Sequence, residues 1–109
     1  MSGNGSLLKR VPVLLALFSI CAAAQQTVTV SMAEYKYVPA EVRIKAGDTV
    51  KWVNNERRTS HSVLFPAENS LESTRMFPGE SWERRFPVPG RYEYTCGPHP
   101  EMMGVIHVE

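Results

Sequence analysis

Cysteine and histidine are scarce in this chain: 2 cysteines and 3 histidines stand among its 109 residues. Three imidazoles are too few to build several metal centres, and two thiols are too few for a disulfide framework. No apolar stretch reaches the roughly 20 residues that a helix needs to cross a bilayer. An excess of either charge is missing as well, since Lys and Arg total 12 against 11 Asp and Glu. So balanced a chain suggests neither nucleic acid nor an anionic membrane surface as a partner. Internal repeats, low-complexity tracts and a sustained helical period are also absent, which argues against repeat arrays and helical bundles.

What is present begins with an export signal. Lys9 and Arg10 supply a positive flank, Val11 to Ile20 an apolar core, and Ala22-Ala23-Ala24 a small-residue cleavage site. Residues 1–24 are therefore assigned to a signal peptide and residues 25–109 to one small domain, with no membrane span after cleavage. Cys21 lies near the place where a lipoprotein is acylated, but bulky Ile20 directly before it argues against processing there. Removing Lys9 and Arg10 takes Lys and Arg from 12 to 10 against 11 acidic residues, a formal charge of about −1. Cys96 is then the single thiol, and no internal disulfide can form. An unpaired thiol in an oxidising compartment is a liability unless something occupies it, and a bound metal does so.

The domain alternates with period two. Val28, Val30 and Met32 share one parity, and Val42 and Ile44 resume it after Tyr35 to Pro39. Ala46-Gly47-Asp48 turns the chain into Thr49 to Val53, where Val50 and Trp52 share a face, and this reads as a hairpin. Asn54 to Ser60 is polar throughout and reads as a loop, after which Ser62 to Phe65 reads as a strand with His61, Val63 and Phe65 on one side. Pro66 to Gly79 reads as a long irregular connection in which a short helix has room to form. Trp82 and Phe86 share a parity that Arg84 spoils, as at a sheet edge or a bulge. Tyr92, Tyr94 and Cys96 alternate towards one face, and Val105 to Val108 forms a last strand. Short strands between turn signals indicate an all-β antiparallel sandwich or barrel.

Chemistry concentrates in one stretch. Cys96, His99 and Met102 form a C-x-x-H-x-x-M arrangement. A soft thiolate, an imidazole and a weak thioether suit copper better than any other common metal. His61, at the end of the polar loop, is the natural second imidazole. Two His, one Cys and a long axial Met make the ligand set of a single blue-copper electron-transfer centre. A buried Cys beside surface His and a packing Met is the plain alternative, but it requires all four features to coincide by chance. Met103 competes with Met102 for the axial place. Met76 reads as packing, and His107, in parity with Val105, as an outward strand residue.

These residues resemble the cupredoxins, and within them look most like the amicyanins. The resemblance covers nearly all of residues 25–109. It rests on Gly47-Asp48-Thr49-Val50 followed by Trp52, on Tyr92-Glu93-Tyr94 leading into Cys96, on Pro98-His99-Pro100, and on the two-residue gap before Met102. It implies a Greek-key β-sandwich and a soluble periplasmic electron carrier with copper held by His61, Cys96, His99 and Met102, the family spacing favouring Met102 over Met103. Partners would be redox proteins docking briefly near His99: a donor dehydrogenase or cytochrome, and an acceptor c-type cytochrome or oxidase. The carrier itself would be a monomer. Pro98, Pro100 and Met103 would form an apolar apron for such docking, with Arg57 and Arg58 placed to steer an acidic partner. Two positions depart from the family: Ser62 stands where most cupredoxins carry Asn, and Ser60 where amicyanins carry Pro. Altered hydrogen bonds around the ligand loop would follow from that.

Other chemistries fit less well. A multicopper enzyme needs many more histidines, and a binuclear copper centre needs a second thiol beside Cys96. Structural zinc takes Cys and His at all four corners and does not usually accept Met. A protein that stores or delivers copper shares the ligands, and sequence alone does not separate it from a carrier.

Overall fold

The structure is a computed structural model that describes residues 24–109 together with Pro12. The signal peptide assigned to residues 1–24 and the lipidation question at Cys21 lie outside the described residues, Pro12 and Ala24 excepted. Among the described residues, no helix is long and apolar enough to cross a membrane.

The period-two segments become strands β1 (Thr27–Ala33), β2 (Lys36–Val38), β3 (Glu41–Ile44), β4 (Thr49–Asn54), β5 (Leu64–Phe65), β6 (Leu71–Glu72), β7 (Ser81–Arg85), β8 (Gly90–Thr95) and β9 (Met103–Val108). They form a four-stranded sheet in the order β2-β1-β4-β7 and a five-stranded sheet in the order β3-β9-β8-β5-β6. The expected all-β sandwich is therefore observed. Its sheets are mixed, not purely antiparallel, because β1 runs parallel to β4 and β3 parallel to β9.

The parallel ladders overturn the expected hairpin at Ala46-Gly47-Asp48. β3 and β4 belong to different sheets, so the turn carries the chain from one layer to the other. Asp48 closes it by accepting from the Lys45 and Gln26 amides, and these two bonds hold its carboxyl below the usual range. A real hairpin lies elsewhere, between β1 and β2, where Ala33 pairs with Lys36 across Glu34 and Tyr35. Both tip residues have positive φ, 53° and 59°, as a two-residue primed turn demands. Neither is Gly or Asn, so the conformation is costly and needs support from outside the turn.

The core lies between the sheets. Trp52 is fully buried, with its ring centroid 5.4 Å from Tyr94, 5.5 Å from Trp82, 6.3 Å from Phe65 and 6.4 Å from Phe86. Burying each such side chain contributes about 1.5–3 kcal/mol. The parity conflict at Arg84 has a physical resolution. β7 is an edge strand, and the Arg84 guanidinium lies 4.5 Å from the Phe65 ring centroid and 4.6 Å from that of Phe86. Two 2.7 Å hydrogen bonds to Glu68 complete its charge pairing.

Candidate metal centre

One hairpin loop carries the C-x-x-H-x-x-M stretch. β8 and β9 pair antiparallel up to Thr95 opposite Met103, so residues 96–102 form the connection between them. Alternation along β8 turns Tyr94 inward and continues to Cys96, which is fully buried. Within the loop, Met102 N–H donates to His99 O at 2.9 Å and Cys96 N–H to Met102 O at 3.2 Å. These bonds fold the loop into a compact turn with Met102 only 2 % exposed. His61 arrives separately, through a bridge in which its N–H and carbonyl both bond to Met76, at 3.0 and 2.8 Å.

The donor atoms converge. Cys96 Sγ lies 3.7 Å from His61 Nδ1 and 3.7 Å from His99 Nδ1, and the two imidazole nitrogens are 3.2 Å apart. A point equidistant from three atoms so spaced is about 2.1 Å from each, the length of a metal–imidazole bond and about 0.2 Å short of a metal–thiolate bond, a difference met by placing the ion slightly farther from the sulfur. The residues present therefore fit a metal ion near the centre of the triangle, and the donor set is the one that copper prefers. Cys96 and His61 are buried, while His99 is half-buried.

His61 and Cys96 are held from behind by hydrogen bonds, and both imidazoles are packed by Tyr35. His61 Nε2 lies 3.2 Å from Glu56 Oε1. A proton shared with that carboxylate sits on Nε2 and leaves the Nδ1 lone pair facing Cys96. Glu56 Oε1 also accepts from Tyr35 N–H at 2.8 Å, and this backbone bond is the main cause that holds its carboxyl below the ordinary range. Tyr35 then packs edge-on against both imidazoles, 4.8 Å from the His99 ring and 5.5 Å from that of His61. Those contacts provide the outside support that the strained Glu34–Tyr35 turn requires. Beneath the loop, fully buried Asn54 donates to Thr59 O at 2.9 Å and Met76 O at 2.8 Å, and accepts from Glu56 N–H at 2.9 Å. Ser62 N–H donates to Cys96 Sγ at 3.3 Å. Tyr37 O–H donates to Ser62 O at 2.6 Å, and burial raises its pKa far enough to keep it neutral.

Of the residues singled out in the sequence, His61, Cys96 and His99 are brought into one cluster, and Met102 is packed on the loop that carries two of them. Met103 is 62 % exposed and Met76 is core. His107 lies away from the cluster, 2.6 Å from Glu41. Sequence reading missed Tyr35, Asn54, Glu56 and Glu72. In the sequence Asn54 reads as the start of a loop, whereas it ends β4 with its side chain inside. The others carry no local signal, because their partners lie 5 or more residues away in the chain.

Comparison with known proteins agrees with this geometry. The family described as copper binding proteins, plastocyanin/azurin family, matches residues 24–109. Amicyanin-alpha of Methylorubrum extorquens is 36% identical over 98 residues, covering 86% of this chain and 82% of that protein. Amicyanin of Paracoccus denitrificans is 35% identical over 96 residues, covering 84% and 72%. The structure superimposes on that of a Cu(I) amicyanin bearing a methionine-to-alanine substitution with a TM-score of 0.72, at 33% identity and over 76% of this chain and 82% of that one.

Proposed function

Because the chain belongs to the plastocyanin/azurin family of copper-binding proteins, which are electron carriers and not enzymes, we propose that it is a periplasmic, monomeric shuttle of single electrons. Its one copper would be held by His61, Cys96, His99 and Met102. The observation that carries this reading is the triangle of Cys96 Sγ, His61 Nδ1 and His99 Nδ1, with sides of 3.7, 3.7 and 3.2 Å. Bound there, copper supplies the Cu(II)/Cu(I) couple.

The protein's own residues do the rest. The buried cluster excludes water from Cys96 and His61, and the bonds behind these two donors leave them little freedom to relax when the oxidation state changes. His99, half-buried on its loop, offers the exit to the surface. Tyr35, packed on the His99 ring, and Pro98 and Pro100, which flank His99 in the chain, are exposed, as is Met103 just after the loop; these would form an apolar patch of the kind that brief redox encounters use. A donor dehydrogenase or cytochrome and an acceptor c-type cytochrome or oxidase would dock there in turn. Exposed Arg57 and Arg58 would speed association with acidic partners. Residues 1–24 would serve as the export signal.

Cu(II) added to the purified protein should produce an intense visible thiolate-to-copper charge-transfer band, and Cys96→Ser should abolish it in a folded domain. A strongly coloured Ser variant would refute the ligand set. Reversible voltammetry with copper retained through many cycles supports the carrier. Rapid loss of the reduced ion to a mild chelator would instead assign the protein to copper storage or delivery.

A further inference from the structure

Glu72 stands on β6, a two-residue strand at the rim of the five-stranded sheet. The residue is exposed, yet one carboxylate oxygen reaches into the site. Glu72 Oε2 accepts from Ser62 O–H at 2.7 Å, and Ser62 Oγ accepts from Gly97 N–H at 2.9 Å. Gly97 directly follows Cys96, and Ser62 directly follows His61. One hydroxyl therefore joins the two segments that bring the thiolate and the buried imidazole together.

A hydroxyl has one proton and two lone pairs, and its proton is free to rotate. The carboxylate fixes that choice: with the proton committed to Glu72, a lone pair faces Gly97 N–H. Without the carboxylate, the proton is free to turn towards other acceptors, and the bond to Gly97 loses its orientation. The space around Gly97 bears the mark of the same arrangement. A Cβ on residue 97 would collide with the Glu72 carboxylate and come within 3.0 Å of Ser62 Oγ. The φ of Gly97 lies outside the left-handed region, so a side chain there would meet no backbone strain but would have to displace the Glu72 carboxylate from the Ser62 hydroxyl.

Building on the copper reading above, we propose that Glu72 is a positioning residue for the metal centre, acting through the Ser62 hydroxyl to pin the start of the 96–102 loop and with it the Cys96 thiolate. Nothing in the contact requires a charge; it requires an acceptor. Glu72→Gln, which keeps a carbonyl oxygen in the same place, should therefore substitute for Glu, and Glu72→Ala should not.

The test uses the full domain with and without copper. In the metal-free protein, hydrogen exchange of the Gly97 amide should accelerate about tenfold in both Glu72→Ala and Ser62→Ala, which is about 1.4 kcal/mol of lost protection, the size of one net hydrogen bond. Glu72→Gln should stay within about twofold of the native rate. The double variant should exchange no faster than Ser62→Ala alone, because Glu72 acts through that hydroxyl. In the copper-loaded protein, Glu72→Ala should shift the charge-transfer band and speed copper loss to a chelator, with Gln restoring both. Native exchange in Glu72→Ala would overturn the proposal, and so would a Gln variant as damaged as Ala. A native protein that takes up no copper would defeat the copper reading instead, while the Gly97 amide still judges Glu72.

Discussion

Replacing Asn54 tests how the buried polar bracing of the site is distributed. Its side chain makes three hydrogen bonds in a fully buried position: two donated to Thr59 O and Met76 O, and one accepted from Glu56 N–H. Each is worth about 1 kcal/mol net, more where a partner is left buried and unpaired. Thr59 is half-buried and can turn to water, and Met76 O keeps the His61 N–H. The loss in Asn54→Ala should therefore be about 2–4 kcal/mol and not the larger sum of three orphaned groups. For a domain of this size that corresponds to a fall in Tm of roughly 10–25 °C. Asn54→Asp, although isosteric, should do at least as much damage, because it turns a carboxylate oxygen towards two carbonyls. Urea unfolding of the metal-free protein measures the loss from the midpoint at constant slope. A loss below about 1 kcal/mol in Asn54→Ala, or an Asp variant milder than Ala, would refute the reasoning.

Three further outcomes are expected. Met102→Leu should keep the charge-transfer band and raise the reduction potential, since losing a thioether donor disfavours Cu(II) relative to Cu(I), whereas exposed Met103→Leu should leave both unchanged; voltammetry of the two variants decides, and the reverse pattern reassigns the axial ligand. The hydrogen bonds from Arg84 lower the Glu68 carboxyl below its ordinary 4.5, so their stabilisation is complete above that pH and is lost as pH falls through the lower folded value. Melting curves from pH 6 to pH 3 should accordingly fall less steeply in Glu68→Gln than in the native protein, and an unchanged slope would remove Glu68 from the acid response. Tyr35→Gly should relax the positive φ of the β1–β2 turn yet uncover both imidazoles, so copper loss should accelerate even where thermal stability is kept; equal release rates would show the ring to be a bystander.

The thiolate, the imidazole and the thioether could be read in the chain because one loop supplies all three, and loop ligands leave their spacing in the sequence. The strands were legible for a similar local reason: Val50, Trp52, Tyr92 and Tyr94 alternate. Pairing was less so. A short turn with Gly47 looks the same whether it folds a hairpin or carries the chain between layers, and only the ladders of β3 with β9 and β4 with β1 distinguish the two. The β1–β2 hairpin was hidden because Glu34 and Tyr35 lack the usual turn chemistry; their conformation is supported by the imidazoles that the Tyr35 ring touches. Asn54, Glu56 and Glu72 were hidden for the reason that makes them effective, namely that a polar residue in a polar stretch shows its role only when its distant partners are in view.

The hairpin loop between β8 and β9 has a thermodynamic corollary. Three of the four candidate donors are held within seven residues of chain, so an unfolded molecule still keeps a thiolate, an imidazole and a thioether close together, and only His61 is released to a distance of 35 residues from Cys96. A ligand stabilises a fold only by its preference for the native state over the denatured ensemble. Copper that remains on the Cys96-to-Met102 segment after unfolding stabilises this protein by less than its native affinity alone would imply. The remainder measures what the fold adds, which is the delivery of one buried histidine to a site that the local chain has already half assembled.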